Sequence, residues 1–359
     1  MNRCAHSVAV IVIASILAAP TLACAPCPPL SGKPVVNADQ SVIIIWDAAT
    51  HTQHFIRRAS FKSDADDFGF LVPTPAQPEL SESGNAAFPF LQQLTEPEKR
   101  TVPRPSGVSC GCGGKSVTMK GSTQPAVRVL DEKVVAGFKA VVLESDSAKA
   151  LVDWLKANGY AFSPQIEAWA KPYVESGWKI TALKVAKSKD STSEKTVTAS
   201  ALRMSFKTDR PLFPYREPEM ESAAKAVGAK NRLLRIYFLA EARYQGGSSA
   251  EMHNWSGAVA WANRLNSTNR NQLLDLLSLP RNTGPADYWL TEFEDDWPYR
   301  AAPADVYFAR SADQGTIARP PIIEYASSAW PGDLAVIAVA VITIMLVLAR
   351  RIRRGNKRV

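Results

Sequence analysis

Ser41-Val-Ile-Ile-Ile-Trp-Asp47, followed across a polar turn by Gln53-His-Phe-Ile-Arg-Arg-Ala-Ser-Phe61, decides the fold class. The first run is apolar on consecutive residues, Val and Ile ending in Trp, and reads as a buried strand. The second alternates well enough to be its hairpin partner, with Asp47–Thr52 as the turn. Phe68 to Val72 adds a short apolar strand ended by Pro73 and Pro75.

Further along, helical and strand patterns come in groups. A helix is expected over Ala86 to Leu94, and a Pro-, Gly- and Ser-rich loop from Pro97 to Gly121. Strands are expected at Ala126 to Leu130 and Phe138 to Glu144. The clearest helix follows, with Ser145 or Ser147 as its cap and Ala148, Leu151, Val152 and Leu155 at helical spacing. Asn158-Gly159 ends it. Pro164 opens a helix bearing Ile166, Trp169 and Tyr173. Trp178 to Ala186 and Thr196 to Thr208 read as a hairpin, Leu233 to Ala242 and Asp305 to Arg310 as strands, and Thr268 to Leu277 as a helix. Grouped helices and mixed strand runs predict an α+β fold with a mostly antiparallel sheet, not βαβ repeats. A sub-boundary is expected near residues 210–222, where prolines cluster.

The two ends predict address and topology. Arg3, an apolar core from Val8 to Ala19, Pro20 and a small Ala23 form the three parts of a secretory signal over residues 1–23. Leu334 to Ala349 is apolar, about 24 Å long as a helix, and precedes Arg350, Arg351, Arg353, Arg354, Lys357 and Arg358. Such a run followed by cations is the pattern of a stop-transfer helix, expected over 333–349, with a cytoplasmic tail over 350–359. Residues 24–332 are then exported, and the lipid bilayer is a partner through helix and tail. The net charge of +8 comes from 42 basic and 34 acidic residues. Setting aside Arg3 and the six tail cations leaves 35 basic residues against 34 acidic ones. The exported part is therefore near neutral, and the overall basicity carries no nucleic-acid signal.

Cys24, Cys27, Cys110 and Cys112 remain after the signal, as two tight pairs. Outside the cytoplasm two disulfides are the first expectation. Closing Cys110 on Cys112 would form a very small ring, so cross-pairs are favoured. Such a bridge closes a loop of about 85 residues, for which chain entropy gives roughly 4–5 kcal/mol. A four-thiolate metal site or a redox pair is the sharper alternative. The single residue between Cys110 and Cys112 is shorter than the usual structural zinc spacing, and no metal or other cofactor is assigned.

No catalytic constellation stands out. Cys112-Gly-Gly-Lys-Ser116 lacks the first glycine of a phosphate loop, Ser109 standing in its place. Asp64, Asp66 and Asp67 fail as a calcium loop, because Phe68 and Pro75 occupy ligand positions. Glu292, Glu294, Asp295 and Asp296 form a second acidic cluster that could bind a cation or supply acid and base, although charge runs are more often solvated faces. His51 and His54 are three apart, which on a strand places them on opposite faces. The tryptophans read as core rather than as a binding cleft.

Four segments together carry a resemblance: Asn37 through Asp47, His54 through Phe61, Asp67-Phe-Gly-Phe-Leu-Val-Pro-Thr-Pro75, and Pro211-Leu-Phe-Pro-Tyr-Arg216. The chain resembles domain-of-unknown-function family 2330, bacterial exported proteins that often carry a C-terminal anchor. That resemblance implies an exported location and a shared fold, and brings no catalytic residue, cofactor or substrate. The expectation is a membrane-anchored, disulfide-stabilised module of the bacterial envelope that binds a protein or a cell-wall ligand. The alternatives are an envelope hydrolase using the clustered carboxylates, and a cysteine-based metal or redox protein.

Overall fold

The computed structural model of the chain describes residues 26–27, 35–37, 39–58, 60–63, 68–103, 128–160, 164–185, 196–198, 200–217, 225, 232–248, 255–296, 304–326 and 339–350. The chain divides into two compact units, Met1–Thr95 with Gly114–Ala318, and Glu96–Gly113 with Arg319–Val359. Strands and helices are numbered in chain order.

The first unit is built on a seven-stranded sheet. At its centre β3 (Gln40–Asp47) pairs antiparallel with β4 (Thr52–Arg58) and parallel with β15 (Leu233–Ala240). Beyond β15 lie β18 (Trp289–Asp296) and β17 (Ala258–Arg264); beyond β4 lie β13 (Ala201–Lys207) and β7 (Glu79–Ser83). Every contact in this sheet except β3 with β15 is antiparallel. The continuous apolar run at Ser41–Asp47 follows from this position. Ile43 and Ile45 face α1 (Ala87–Thr95) and α4 (Ser267–Leu276), while Val42, Ile44 and Trp46 face the inner core. With both faces covered, each of these side chains contributes roughly 1.5–3 kcal/mol by leaving water.

A second, five-stranded sheet lies across that inner core, in the order β1 (Pro26–Cys27), β6 (Gly69–Thr74), β11 (Lys179–Val185), β10 (Phe138–Glu144), β9 (Arg128–Val135). Phe70, Val72, Phe138, Ala140, Val142 and Leu183 meet Phe55, Met204, Ile236 and Phe238 of the larger sheet. The opposite face carries α2 (Ala148–Ala157) and α3 (Pro164–Glu175), through Leu151, Trp154, Leu155, Trp169 and Tyr173. The first unit is thus layered helix, sheet, sheet, helix. Two smaller sheets belong to it: β14 (Leu212–Phe213), β19 (Val306–Arg310) and β16 (Tyr244–Ser248), and β12 (Thr196–Thr198), β5 (Ser60–Ser63) and β2 (Val35–Asn37).

The α+β class and the β3–β4 hairpin stand as expected, as does α2, whose Ser147 Oγ accepts from the Ala150 N–H at 3.1 Å. Two expectations are corrected. Gln53–Phe61 is not one strand: the chain leaves the seven-stranded sheet after Arg58, and β5 pairs elsewhere. The hairpin between Trp178–Ala186 and Thr196–Thr208 does not form, because β11 lies between β6 and β10 while β13 lies between β4 and β7. Both segments are strand-like locally, but their partners are distant in sequence and local pattern does not identify them.

In the second unit β8 (Lys99–Pro103) pairs parallel with β20 (Ile322–Ala326), and Lys99 Nζ meets Glu324 Oε1 at 2.5 Å. Residues 339–350 are helical. Among the described residues no helix is long and apolar enough to cross a membrane.

Candidate functional site

The acidic cluster at Glu292–Asp296 is a strand, and the pleat divides it. Successive side chains on β18 point to opposite faces of the sheet. Glu292 and Glu294 share the face of Leu290, where Arg235 of β15 sits between them. Arg235 Nε lies 2.8 Å from Glu292 Oε1, and its Nη2 lies 2.5 Å from Glu294 Oε1. Asp296 is exposed at the strand end. Asp295 turns inward with Phe293 and accepts three hydrogen bonds: from the Tyr215 hydroxyl at 2.6 Å, Trp255 Nε1 at 3.1 Å and the Ser256 hydroxyl at 2.8 Å. Gly246 of β16 makes room for that indole, since a Cβ there would lie 2.5 Å from the Trp255 ring. The four carboxylates adjacent in sequence therefore do not share a site.

Tyr215 links Asp295 to a second buried carboxylate. Its backbone N–H donates to Asp305 Oδ1 at 2.9 Å, joined by the Arg216 N–H at 3.2 Å and the Tyr173 hydroxyl at 2.7 Å. The Arg216 guanidinium stands 3.7 Å from Asp305 Oδ2. Burial pushes the Asp305 carboxyl up to about 6, against the pull of Arg216 and the Tyr173 and Tyr215 donors. Burial, then the bond to Asp295, also drives the Tyr215 phenol well above its ordinary value. This network pins α3, the chain before β15 and the start of β19 to one another. Nearby, Arg232 and Glu217 form a fully buried bidentate pair.

Among the described residues no group of three or more His, Cys, Asp or Glu side chains could hold an ion. His54 Nδ1 lies 2.8 Å from Ser205 Oγ, and burial, with Arg203 adding to it, holds the imidazole down at about 4. His51 sits on the β3–β4 turn with φ of 49°, edge-on to Trp46. Cys24, Cys110, Cys112, Asp64, Asp66 and Asp67 lie outside the described residues. Cys27 is at the end of β1, opposite Gly69.

An open pocket of about 380 Å³ is formed at the segment joining β13 to β14. Lys207 comes from the end of β13, Asp209 and Arg210 from that segment, Trp178 from just before β11, Tyr307 from β19 and Pro75 from just after β6. Lys207 Nζ donates to Thr50 O at 2.6 Å and Thr52 Oγ1 at 2.8 Å. The Arg210 guanidinium lies 4.5 Å above the Tyr307 ring, and the Thr208 hydroxyl donates to Arg210 O at 2.9 Å, which shapes the turn. Trp178 leans on Tyr173, ring centroids 5.2 Å apart. The Asp209 and Arg210 side chains make no hydrogen bond or ion pair among the described residues. A second pocket, of about 520 Å³ on α4, is flanked by Asp275 and Arg281, which pair with each other at 2.7 Å.

None of Tyr173, Tyr215, Trp178, Arg210, Asp305 and Tyr307 stands out in the sequence as a site residue. The one available signal is Pro211-Leu-Phe-Pro-Tyr-Arg216, which contains Tyr215 and Arg216 and starts one residue after Arg210.

No curated protein and no solved structure matches the chain. The model of one family, described as an uncharacterised protein conserved in bacteria (DUF2330), matches residues 19–308, a span that includes the whole Asp295–Tyr215–Asp305 network and every wall of the 380 Å³ pocket. The chain belongs to that bacterial family.

Proposed function

We propose that this protein is a membrane-tethered binding module of the bacterial envelope, and that the pocket at Lys207–Arg210 is where it takes its ligand. One observation carries the reading. Asp295 and Asp305 accept hydrogen bonds from the chain itself and Glu292 and Glu294 are ion-paired to Arg235, while Asp209 and Arg210 face an open pocket with no hydrogen-bond or ion-pair partner among the described residues. A hydrolase needs an acid and a base that reach substrate. Glu292 and Asp295 are buried on opposite faces of one strand, so they are poorly placed for that work.

The tether is the apolar run from Leu334 to Ala349 with the cations after it. Val339, Val341, Ile342, Ile344, Met345 and Leu346 are each more than half exposed, and a lipid environment would relieve that exposure. On this reading residues 24–332 are outside the cytoplasm, the tail is inside, and Cys24, Cys27, Cys110 and Cys112 are disulfide-bonded.

Two measurements test it. In spheroplasts of an expressing bacterium, external protease should remove the exported part and spare a C-terminal tag, and deleting 334–359 should release the protein into the soluble fraction. Protection of the whole chain would sink the topology. Full-length protein held in detergent, its apolar tether shielded by the micelle, should co-sediment with detergent-washed cell-wall material, and a variant with Asp209→Asn and Arg210→Gln should lose that retention at an unchanged unfolding midpoint. Equal retention would remove the pocket from the reading.

A further inference from the structure

We infer that the pocket ligand is a monoanionic saccharide, a sugar ring bearing one carboxylate or one equivalent acidic group; this rests on the pocket being the binding site. The charges define the class. Lys207 and Arg210 against Asp209 leave one net positive charge in the walls. A polyanion such as nucleic acid or polyphosphate would bring excess negative charge against Asp209, whereas a single acidic group is matched.

Geometry assigns the parts. The Arg210 guanidinium, a planar fork suited to bidentate carboxylate binding, lies over the Tyr307 ring at 4.5 Å from its centroid. Lys207 spends two N–H groups on Thr50 and Thr52, and an ammonium has three, so one donor remains. Asp209 is an acceptor with no donor among the described residues, the chemistry that takes sugar hydroxyls. Trp178, half-buried and braced by Tyr173, supplies an aromatic wall on which the C–H face of a sugar ring packs. A volume of about 380 Å³ lies at the small end of ligand pockets, suiting one or two rings rather than a long chain.

The test is calorimetric titration of the full-length protein in detergent with glucuronate, glucose and acetate. Glucuronate should bind about tenfold more tightly than either of the others, the effect of adding one charge-assisted contact to a stacked ring. Arg210→Gln should bring glucuronate down to the level of glucose. Tyr307→Leu, which removes the ring beneath the guanidinium, should weaken glucuronate more than it weakens glucose. Glucose binding as tightly as glucuronate would overturn the anionic requirement, and acetate doing so would overturn the saccharide. If none of the three binds while envelope retention still depends on Arg210, the ligand class is wrong and the pocket stands. If retention is also independent of Arg210, both readings fall together.

Discussion

Strand β18 and the segment from Lys207 to Leu212 are both rich in charge, and they use it in opposite ways. On β18 the charges are answered from within: Arg235 takes Glu292 and Glu294, and Tyr215, Trp255 and Ser256 take Asp295. At 207–212 the chain supplies a stacked guanidinium and a carboxylate and gives neither a hydrogen-bonding partner among the described residues. Density of charge along a sequence is therefore a poor guide to a site. What separates structure from recognition is whether the rest of the chain neutralises the group.

The interior side of that contrast breaks most severely at Arg232–Glu217, where both side chains are essentially fully buried. Arg232→Met should take the buried guanidinium from beside the Glu217 carboxylate and cost about 3–5 kcal/mol in urea unfolding. The double variant with Glu217→Leu should recover much of that loss, since two apolar groups need no partner. A single variant as stable as wild type would show that water reaches the pair.

Asp295→Ala comes next. It leaves the Tyr215 hydroxyl, the Trp255 indole N–H and the Ser256 hydroxyl without their acceptor, and should cost about 3–4 kcal/mol. If Asp295 were instead a catalytic group, its removal would leave stability nearly unchanged or raise it.

Two buried groups sharpen the interior further, because they respond to pH with opposite sign. Between its ordinary 3.8 and about 6, folded Asp305 keeps a proton that the unfolded chain has released. Acidification through that window therefore stabilises the fold, by about 3 kcal/mol in all. His54 does the reverse: its unfolded imidazole gains a proton below 6.5, while the folded ring stays neutral down to about 4. The same acidification then costs about 3 kcal/mol. Wild type should gain on Asp305→Asn as pH falls from 6 to 4, and lose to His54→Asn over 6.5 to 4. Urea midpoints taken along a pH series would show the two slopes, and slopes of the same sign would refute the assignment.

Which of these features the sequence discloses depends on the range of the interaction. Helix α2 is legible because its cap at Ser147, its apolar spacing and its stop at Asn158 all lie within one segment. The β3–β4 hairpin is legible because its partners adjoin. Strands β11 and β13 look like neighbours but join different sheets, because their partners β6, β10, β4 and β7 were made elsewhere in the chain. The fate of Glu292–Asp296 is hidden for the same reason: Arg235, Tyr215 and Trp255 reach the strand only through tertiary pairing. The pocket is a sharper case. Lys207 and Arg210 are plain in the sequence, yet Trp178 and Tyr307, which give them a wall and a platform, come from two distant places, just before β11 and within β19.

The smallest expected change in stability falls on the other side of the contrast and is the most informative about function. Arg210 is exposed and contributes one cation–π contact, worth about 0.5–1 kcal/mol at most in water. Arg210→Gln should therefore move the unfolding free energy by no more than about 0.5 kcal/mol, since water replaces what the ring gave. A loss several times larger would mean that the guanidinium is part of the scaffold, as Arg235 is, and that the pocket's charge is answered by the chain after all. A near-zero change in stability together with lost ligand retention is the combination that a structural arginine does not produce.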